Sequence, residues 1–536
     1  MNDSRITQAR THTLGDLPRR AAARFPNKPA IIHGDVRITF GELDHLIDLA
    51  AAGLHDTGLR KGDRLALLSR NCWQYPVIQY ATARLGVVLV PVNFTLTAGE
   101  IAYILQDCSA TAVIAETNLL QTASAAIGDL PDLPRVTSVL GPSFELPPGW
   151  SHFDSWLTAK PRTVPDVPVG DDDVLRIMYT SGTESRPKGA LLTSRSLMWQ
   201  YVSCIEAGDM TSEDVELHAM PLYHCAQLDN FLNTDIYLGA TSVITSRTDP
   251  ETILQLLEQE QITNFFAPPT VWISLLRCPT FDSTRLSTLI KGYYGASPLP
   301  PHVLTEIQQR IPEIRLWNFY GQTEMASIAT VLRPEQQTSR AGSAGKPALN
   351  VESRIVDGDG AVVAAGLMGE IVHRSPHATV GYLNNAAATD EAFRDGWFHS
   401  GDLGYFDEEG YLWVVDRKKD MIKTGGENVS SREVEEVLYQ HQSVKEAAAF
   451  AVPHPRWVEA VAVAVVPRDG AVVDPSALET HCRDRLAGFK VPKLIVGVDA
   501  LPKNPSGKVM KRQLRAKYAE ALSNSPGPRV LESPQE

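Results

Sequence analysis

The stretch Tyr179-Thr180-Ser181-Gly182-Thr183-Glu184-Ser185-Arg186-Pro187-Lys188-Gly189 combines hydroxyls, two glycines and a lysine. Glycine lets backbone N–H groups approach an anion closely, Ser and Thr donate further hydrogen bonds, and an ammonium offsets negative charge. The chemistry this suits is a grip on a polyphosphate. It is not a Walker A loop, because no G-x-x-x-x-G-K-[ST] aligns here and Pro187 lacks the N–H of a tight phosphate cradle. Taken alone, the stretch reads equally well as a solvated turn. Glu184-Ser185 is an awkward pair for the task, since a carboxylate beside a triphosphate is repelled by about 1 kcal/mol where solvent reaches it. Glu184 is therefore expected to point outward or to be neutralised by Arg186.

Other chemistry-bearing groups follow downstream. Thr323-Glu324 pairs a hydroxyl that can donate to a phosphate oxygen with a carboxylate that can hold Mg²⁺, an ion that commonly takes one or two protein carboxylates plus substrate phosphates. Asp402, in Ser400-Gly401-Asp402, is an acceptor-only group suited to two ribose hydroxyls. Lys508, in Pro505-Ser506-Gly507-Lys508, is a long cation on a flexible turn. His224, in His218-Ala219-Met220-Pro221-Leu222-Tyr223-His224, reads by itself as a satisfied, partly buried histidine. Gly358-Asp359-Gly360 fails as a dinucleotide fingerprint, for it lacks the third glycine and reads as a hairpin turn.

The elements that must hold these groups are legible as patterns. Residues 174–178 (VLRIM) form an apolar, β-branched run that predicts a buried strand feeding the loop, and residues 190–197 predict the start of a helix. Residues 315–319 predict the strand that delivers Thr323-Glu324, at the end of a sheet where open α/β folds place ligands. Residues 289–299 predict another strand, opening into Gly295-Ala296-Ser297, where small residues leave room for a flat ligand. Residues 30–40 predict a hairpin turning at Gly34-Asp35, and strands separated by helix-length segments imply parallel sheet with helices on its faces. Residues 130–173, rich in proline, are expected to form an irregular connection.

Five motifs in fixed order carry a resemblance: the 179–189 loop, Asn318-Phe319-Tyr320-Gly321-Gln322-Thr323-Glu324, Gly396-Trp397-Phe398-His399-Ser400-Gly401-Asp402, Asp416-Arg417-Lys418-Lys419-Asp420 and Pro502-Lys503-Asn504-Pro505-Ser506-Gly507-Lys508. From about residue 17 to about residue 514 the chain resembles an acyl-CoA synthetase of the adenylate-forming superfamily. The resemblance implies a fold of class α/β, with a large N-terminal domain of mixed and parallel sheets and a small mobile α+β C-terminal domain. It implies ATP, Mg²⁺ and coenzyme A as cofactors and a hydrophobic carboxylic acid as substrate, a medium- or long-chain fatty acid being preferred. An aryl or cinnamate-type acid and an acyl-AMP ligase loading a carrier protein are the alternatives, and a non-catalytic acyl- or nucleotide-binding protein is the alternative of another class.

The same resemblance assigns Thr180, Ser181, Gly182, Thr183 and Lys188 to the phosphates, and Thr323 to the α-phosphate. Glu324 falls to the metal, Gly295, Ala296, Ser297, Asn318, Tyr320 and Gly321 to the adenine side, and Asp402 and Arg417 to the ribose. His224 lies beside the acyl carboxylate, Gly425 and Gly426 line the passage of the thiol, and Lys508 is the catalytic lysine. It divides the chain into an adenylation domain over 1–416, a hinge over 417–419 centred on Lys419, a mobile domain over 420–522 and a disordered tail over 523–536.

Composition sets the outer limits. The chain has 536 residues and a formal charge of −13, which argues against a general nucleic-acid binder. Its six cysteines are scattered without a C-x-x-C pair, suggesting neither a zinc site nor a disulfide framework. No apolar run is long enough to span a bilayer and the N-terminus lacks a secretory h-region, so the chain reads as cytoplasmic. A homodimer is left open.

Overall fold

The computed structural model describes residues 6, 9–128, 130, 136–141, 146–157, 164–180, 186–503, 508–522 and 529–531. Contacts divide the chain into two units, the first made of Met1–Thr180, Pro187–Ser353 and His373–Phe398, the second of Ser181–Arg186, Arg354–Val372 and His399–Glu536.

The first unit is built on two large sheets. In the seven-stranded sheet the strands Trp150–His152, Val136–Leu140, Ala112–Glu116, Arg64–Leu68, Val88–Val92 and Val174–Thr180 run parallel, and Lys188–Thr193 closes one edge antiparallel to Val174–Thr180. The two-residue period of a strand is visible in the packing. Leu65 and Leu67 enter one apolar core while Ala66 and Leu68 enter another, as expected of strands covered on both faces. The helices obey local rules: Phe40–Asp56 starts at Thr39, whose Oγ1 accepts from the Glu42 N–H while the Glu42 carboxylate accepts from the Thr39 N–H at 2.8 Å. The nine-stranded sheet runs Lys346–Pro347, Thr330–Leu332, Arg315–Tyr320, Lys291–Gly295, Asn264–Phe266, Val215–His218, Thr241–Ile244, Pro29–His33 and Val36–Thr39, parallel through its middle. The turn at Gly34-Asp35 is present, Gly34 having φ +58°.

The second unit contains a six-stranded sheet centred on the long antiparallel pair Val444–His454 and Val458–Pro467. Val461, Val463 and Val465 enter one core and Ala460, Ala462 and Ala464 the other, so the apolar run 460–466 is a strand buried on both faces. The helix Ser431–Tyr439 begins at Ser430, whose hydroxyl accepts from the Glu433 N–H. The α/β class, with large mixed and parallel sheets followed by a smaller C-terminal sheet, is as the sequence implied.

Several expectations need correction. Residues 190–197 do not start a helix: Lys188–Thr193 is a strand, and the helix Ser194–Ala207 begins only after Thr193, whose side chain caps it. The proline-rich stretch 130–173 is not wholly irregular, because Val136–Leu140 and Trp150–His152 extend the parallel sheet past Ala112–Glu116. In the tail expected to be disordered, Arg529–Leu531 pairs in parallel with Leu494–Gly497. Residues 354–372 and 399–416 group with the C-terminal part, where Lys418 pairs with Glu370 at 3.1 Å and the Asp416 carboxylate accepts from the N–H and hydroxyl of Ser431 at 2.6 and 2.8 Å.

Candidate active site

The strand Val174–Thr180 delivers Thr180, and its antiparallel partner returns the chain at Lys188, directly opposite in register. The Thr180 hydroxyl donates to the Lys188 carbonyl at 3.4 Å. The candidate phosphate stretch is thus flanked by two antiparallel strands rather than by a strand and a helix; Ser181, Gly182, Thr183, Glu184 and Ser185 lie outside the described residues. Two tyrosines brace the base of the hairpin, Tyr179 donating to Asp107 Oδ2 at 2.6 Å and Tyr103 to the Pro187 carbonyl at 3.2 Å.

Thr323 and Glu324 lie in a single 3-10 turn, Thr323–Met325, just beyond the strand Arg315–Tyr320. The turn ends at Ala326, which takes the left-handed φ of +63°. Gly321 is required by space, since a Cβ there would sit 1.8 Å from the Ser327 carbonyl oxygen. Gly321→Ala is expected to displace the turn and to cost about 1–3 kcal/mol through overpacking against backbone. A urea denaturation midpoint equal to that of the unmodified chain would contradict this.

Glu324 is half-buried and held at both ends, its carbonyl accepting from the Thr379 N–H at 2.7 Å and its Oε1 from the Tyr382 hydroxyl at 2.8 Å. The Lys188 ammonium lies 5.3 Å from the centre of the Tyr382 ring, within cation–π range. On the other side of the turn, Thr323 Oγ1 is 3.5 Å from Cys225 Sγ, which in turn lies 3.9 Å from His224 Nδ1. His224 Nδ1 accepts from the Ala226 N–H at 3.1 Å, which places the proton of the neutral ring on Nε2. Burial pushes the Cys225 thiol up to about 11, so it stays protonated and unreactive. Lys188, Tyr382, Glu324, Thr323, Cys225 and His224 therefore form one continuous line of contacts drawn from separate stretches of the first unit.

The adenine-side candidates share this unit. Asn318 is buried and donates to the Ser343 carbonyl at 3.0 Å. Tyr320 is half-buried, with its oxygen accepting from Gln322 Nε2 at 2.8 Å. Gly295 ends the strand Lys291–Gly295, and a Cβ on it would meet the Phe319 carbonyl oxygen at 2.5 Å. Ala296 (φ +64°) and Ser297 follow at the surface.

The remaining candidates belong to the second unit. Asp402, only 6% exposed, faces Arg417 across an antiparallel pair, with Arg417 Nε 3.5 Å from Asp402 Oδ1. Lys419 is exposed, and its carbonyl accepts from Arg515 at 2.9 Å. Gly425 and Gly426, at φ +60° and +90°, form the turn between Ile422–Thr424 and Glu427–Val429. Lys508 is exposed beside the bridge Lys503–Val509, which closes the base of its loop.

A family model of AMP-binding enzymes matches residues 18–383, and one of the AMP-binding enzyme C-terminal domain matches residues 433–508. The chain belongs to the AMP-binding enzyme family. It is an acyl-CoA synthetase of the adenylate-forming superfamily, an AMP-forming acid–thiol ligase. A feruloyl-CoA synthase of an Amycolatopsis species is 36% identical, covering 95% of this chain and 100% of the relative. A long-chain-fatty-acid–CoA ligase of Escherichia coli O157:H7 is 33% identical, covering 97% of each. Among solved structures, the anthranilate CoA ligase AuaEII in complex with anthranoyl-AMP superposes with a TM-score of 0.86 at 25% identity, covering 96% of this chain and 97% of that one. The AMP-binding model takes in the hairpin, Thr323-Glu324 and Tyr382; the C-terminal model closes on Lys508.

Three residues of this synthetase escaped sequence reasoning. Cys225 was one of six scattered thiols with nothing to single it out. Tyr382 stood in Gly381-Tyr382-Leu383-Asn384 without a partner in view. Arg176, by contrast, left a signal, a lone charge in an otherwise apolar strand.

Proposed function

We propose that this acyl-CoA synthetase activates a hydrophobic carboxylic acid of aryl or arylalkenyl type as its acyl-adenylate and passes the acyl group to coenzyme A. The adenylation half of the reading is carried by the line of contacts from Lys188 to His224, which gathers a phosphate-side cation, a carboxylate and a hydroxyl on one small surface. The aryl preference is supported by the 36% identical feruloyl-CoA synthase and by the fold shared with a ligase holding anthranoyl-AMP. A long-chain fatty acid is the second reading, favoured by the 33% identical fatty-acid ligase.

In the first half-reaction the acid's carboxylate attacks the α-phosphorus of ATP, the bond to the bridging oxygen breaks, and pyrophosphate leaves. Negative charge grows on the phosphoryl oxygens, so preorganised donors and cations are the main lever. Lys188 and the hairpin tip hold the β- and γ-phosphates, Thr323 donates to the α-phosphate, and Lys508 is assigned to the developing charge there. Among the described residues no cluster of three or more His, Cys, Asp or Glu could hold a metal. The protein's share at Glu324 is thus one carboxylate, a donor set that fits Mg²⁺ coordinated mainly by phosphates and water. Glu324 would hold the ion, which supplies charge neutralisation when bound. His224, whose Nδ1 accepts from the Ala226 N–H, is assigned to the incoming carboxylate. Asp402, with Arg417 Nε 3.5 Å from its Oδ1, is assigned to the ribose hydroxyls, and Asn318 and Tyr320 to the base. In the second half-reaction the CoA thiol attacks the acyl carbon and AMP leaves; Lys419 is the proposed hinge and Gly425-Gly426 the backbone that admits the thiol.

Ferulate, anthranilate and palmitate, each offered with ATP and either CoA or a carrier protein, test the substrate and the acceptor together, with products identified by mass spectrometry. Ferulate with CoA is expected to exceed palmitate at least about tenfold in kcat/KM, a difference of 1.4 kcal/mol in transition-state binding. A palmitate preference would replace the aryl reading with the fatty-acid one, and product on the carrier protein alone would remove CoA.

A further inference from the structure

We propose that Tyr382 is a positioning residue for the first half-reaction, its hydroxyl fixing the Glu324 carboxylate while its ring face seats the Lys188 ammonium. One side chain then sets the spacing between the carboxylate oxygen and the cation on the phosphate side. The inference rests on the reading of Glu324 as the metal carboxylate. It adds a group that touches neither substrate nor metal.

The geometry is over-determined around this tyrosine. Its hydroxyl donates to Glu324 Oε1 at 2.8 Å, and its ring centre lies 5.3 Å from Lys188 Nζ. An ionised carboxylate has about four lone-pair sites, so one hydroxyl leaves the remainder open to an ion. The backbone on either side of Tyr382 is stitched to the return strand of the hairpin. Val380 N–H donates to the Leu191 carbonyl at 3.1 Å, Leu191 N–H to the Gly381 carbonyl at 3.0 Å and Leu383 N–H to the Gly189 carbonyl at 2.8 Å. The Tyr382 N–H itself is taken by Thr389 Oγ1 at 3.0 Å. Gly381, at φ +132°, allows this path where a side chain would be strained and would crowd Thr389. From the same segment Thr379 N–H reaches the Glu324 carbonyl at 2.7 Å. The hairpin and the Thr323–Met325 turn, far apart in sequence, therefore share one rigid spacer.

Two variants separate the two contacts. Tyr382→Phe keeps the ring and removes the hydroxyl; Tyr382→Leu removes both. Mn²⁺ binding to the enzyme–ATP complex is measured by electron paramagnetic resonance of the free ion, and ATP binding without divalent ion by calorimetry. Tyr382→Phe is expected to weaken Mn²⁺ binding about tenfold, the low end for loss of a ligand-orienting partner, and to leave metal-free ATP binding unchanged. Tyr382→Leu is expected to weaken Mn²⁺ equally and metal-free ATP by a further about 2–5-fold, through the lost cation–π contact. A purely structural tyrosine would not split the two measurements. Wild-type Mn²⁺ affinity in Tyr382→Phe overturns the inference. Glu324→Gln, run alongside, distinguishes the failures: if it too binds Mn²⁺ normally, the metal assignment itself falls, and if it alone loses affinity, only the role of Tyr382 falls.

Discussion

Lys508→Ala is expected to slow acyl-AMP formation by about 10²–10³-fold, the usual effect of removing one preorganised electrostatic donor from a charge-building transition state. Thioester formation from supplied acyl-AMP is expected to stay largely intact. The asymmetry follows from where charge develops. The first half-reaction accumulates it on the α-phosphoryl group and the departing bridge oxygen, whereas the second expels AMP from an acyl carbon. Lys508 is exposed on the second unit, at the end of a loop whose base is closed by the Lys503–Val509 bridge and by the Met510 N–H on the Pro502 carbonyl at 2.7 Å. In the proposed mechanism this side chain is carried to the phosphorus, with Lys419 as the hinge. Pyrophosphate release with ATP and acid measures the first step, and AMP release from synthetic acyl-AMP with CoA the second. Equal losses in both would remove Lys508 from its role in adenylation and the alternation with it.

Asp229→Ala is expected to destabilise the first unit by about 3–5 kcal/mol, since it leaves a buried guanidinium uncompensated. Arg176 and Asp229 pair with both side chains fully buried. Around them Arg176 donates to Gln79 Oε1 at 2.9 Å, while Asp229 Oδ1 accepts from Tyr201 at 3.0 Å and from Asn233 at 3.0 Å. Replacing both charges with apolar groups of similar volume, as in Arg176→Met with Asp229→Leu, is expected to recover most of that loss, because a buried pair gains little over well-packed hydrophobic contact. Urea denaturation followed by tryptophan fluorescence measures each variant. A loss below about 1 kcal/mol for Asp229→Ala would mean that the guanidinium finds another partner or reaches water. The consequence is local: Arg176 lies in the strand that ends at Thr180, so the pair anchors the root of the candidate phosphate stretch to the segment just after His224.

How far the sequence could be read depended on the range of the interaction. Val174–Thr180 was visible as a strand because its apolar run is local. Its partner Lys188–Thr193 was mistaken for the start of a helix because Gly189-Ala190-Leu191-Leu192-Thr193 carries no strict alternation, and what makes it a strand is pairing with Val174–Thr180 and, at Ala190, with Tyr382. The strands at 136–140 and 150–152 were hidden among prolines for the same reason, each completed by a neighbour distant in the chain. The hairpin turning at Gly34-Asp35 depends on neighbouring residues alone and was legible.

The sequence alone determined the chemical inventory of the synthetase: hydroxyls and a lysine around a glycine turn, Thr323 beside Glu324, Asp402, and Lys508 on a short loop. Each is a group of fixed reactivity within a motif of a few residues, so spacing is enough to find it. Only the tertiary structure decided which of them meet. Tyr382 reaches Glu324 across 58 residues and Cys225 reaches Thr323 across 98. Those contacts exist because sheet register and backbone stitching bring distant segments together, and no local pattern encodes that register.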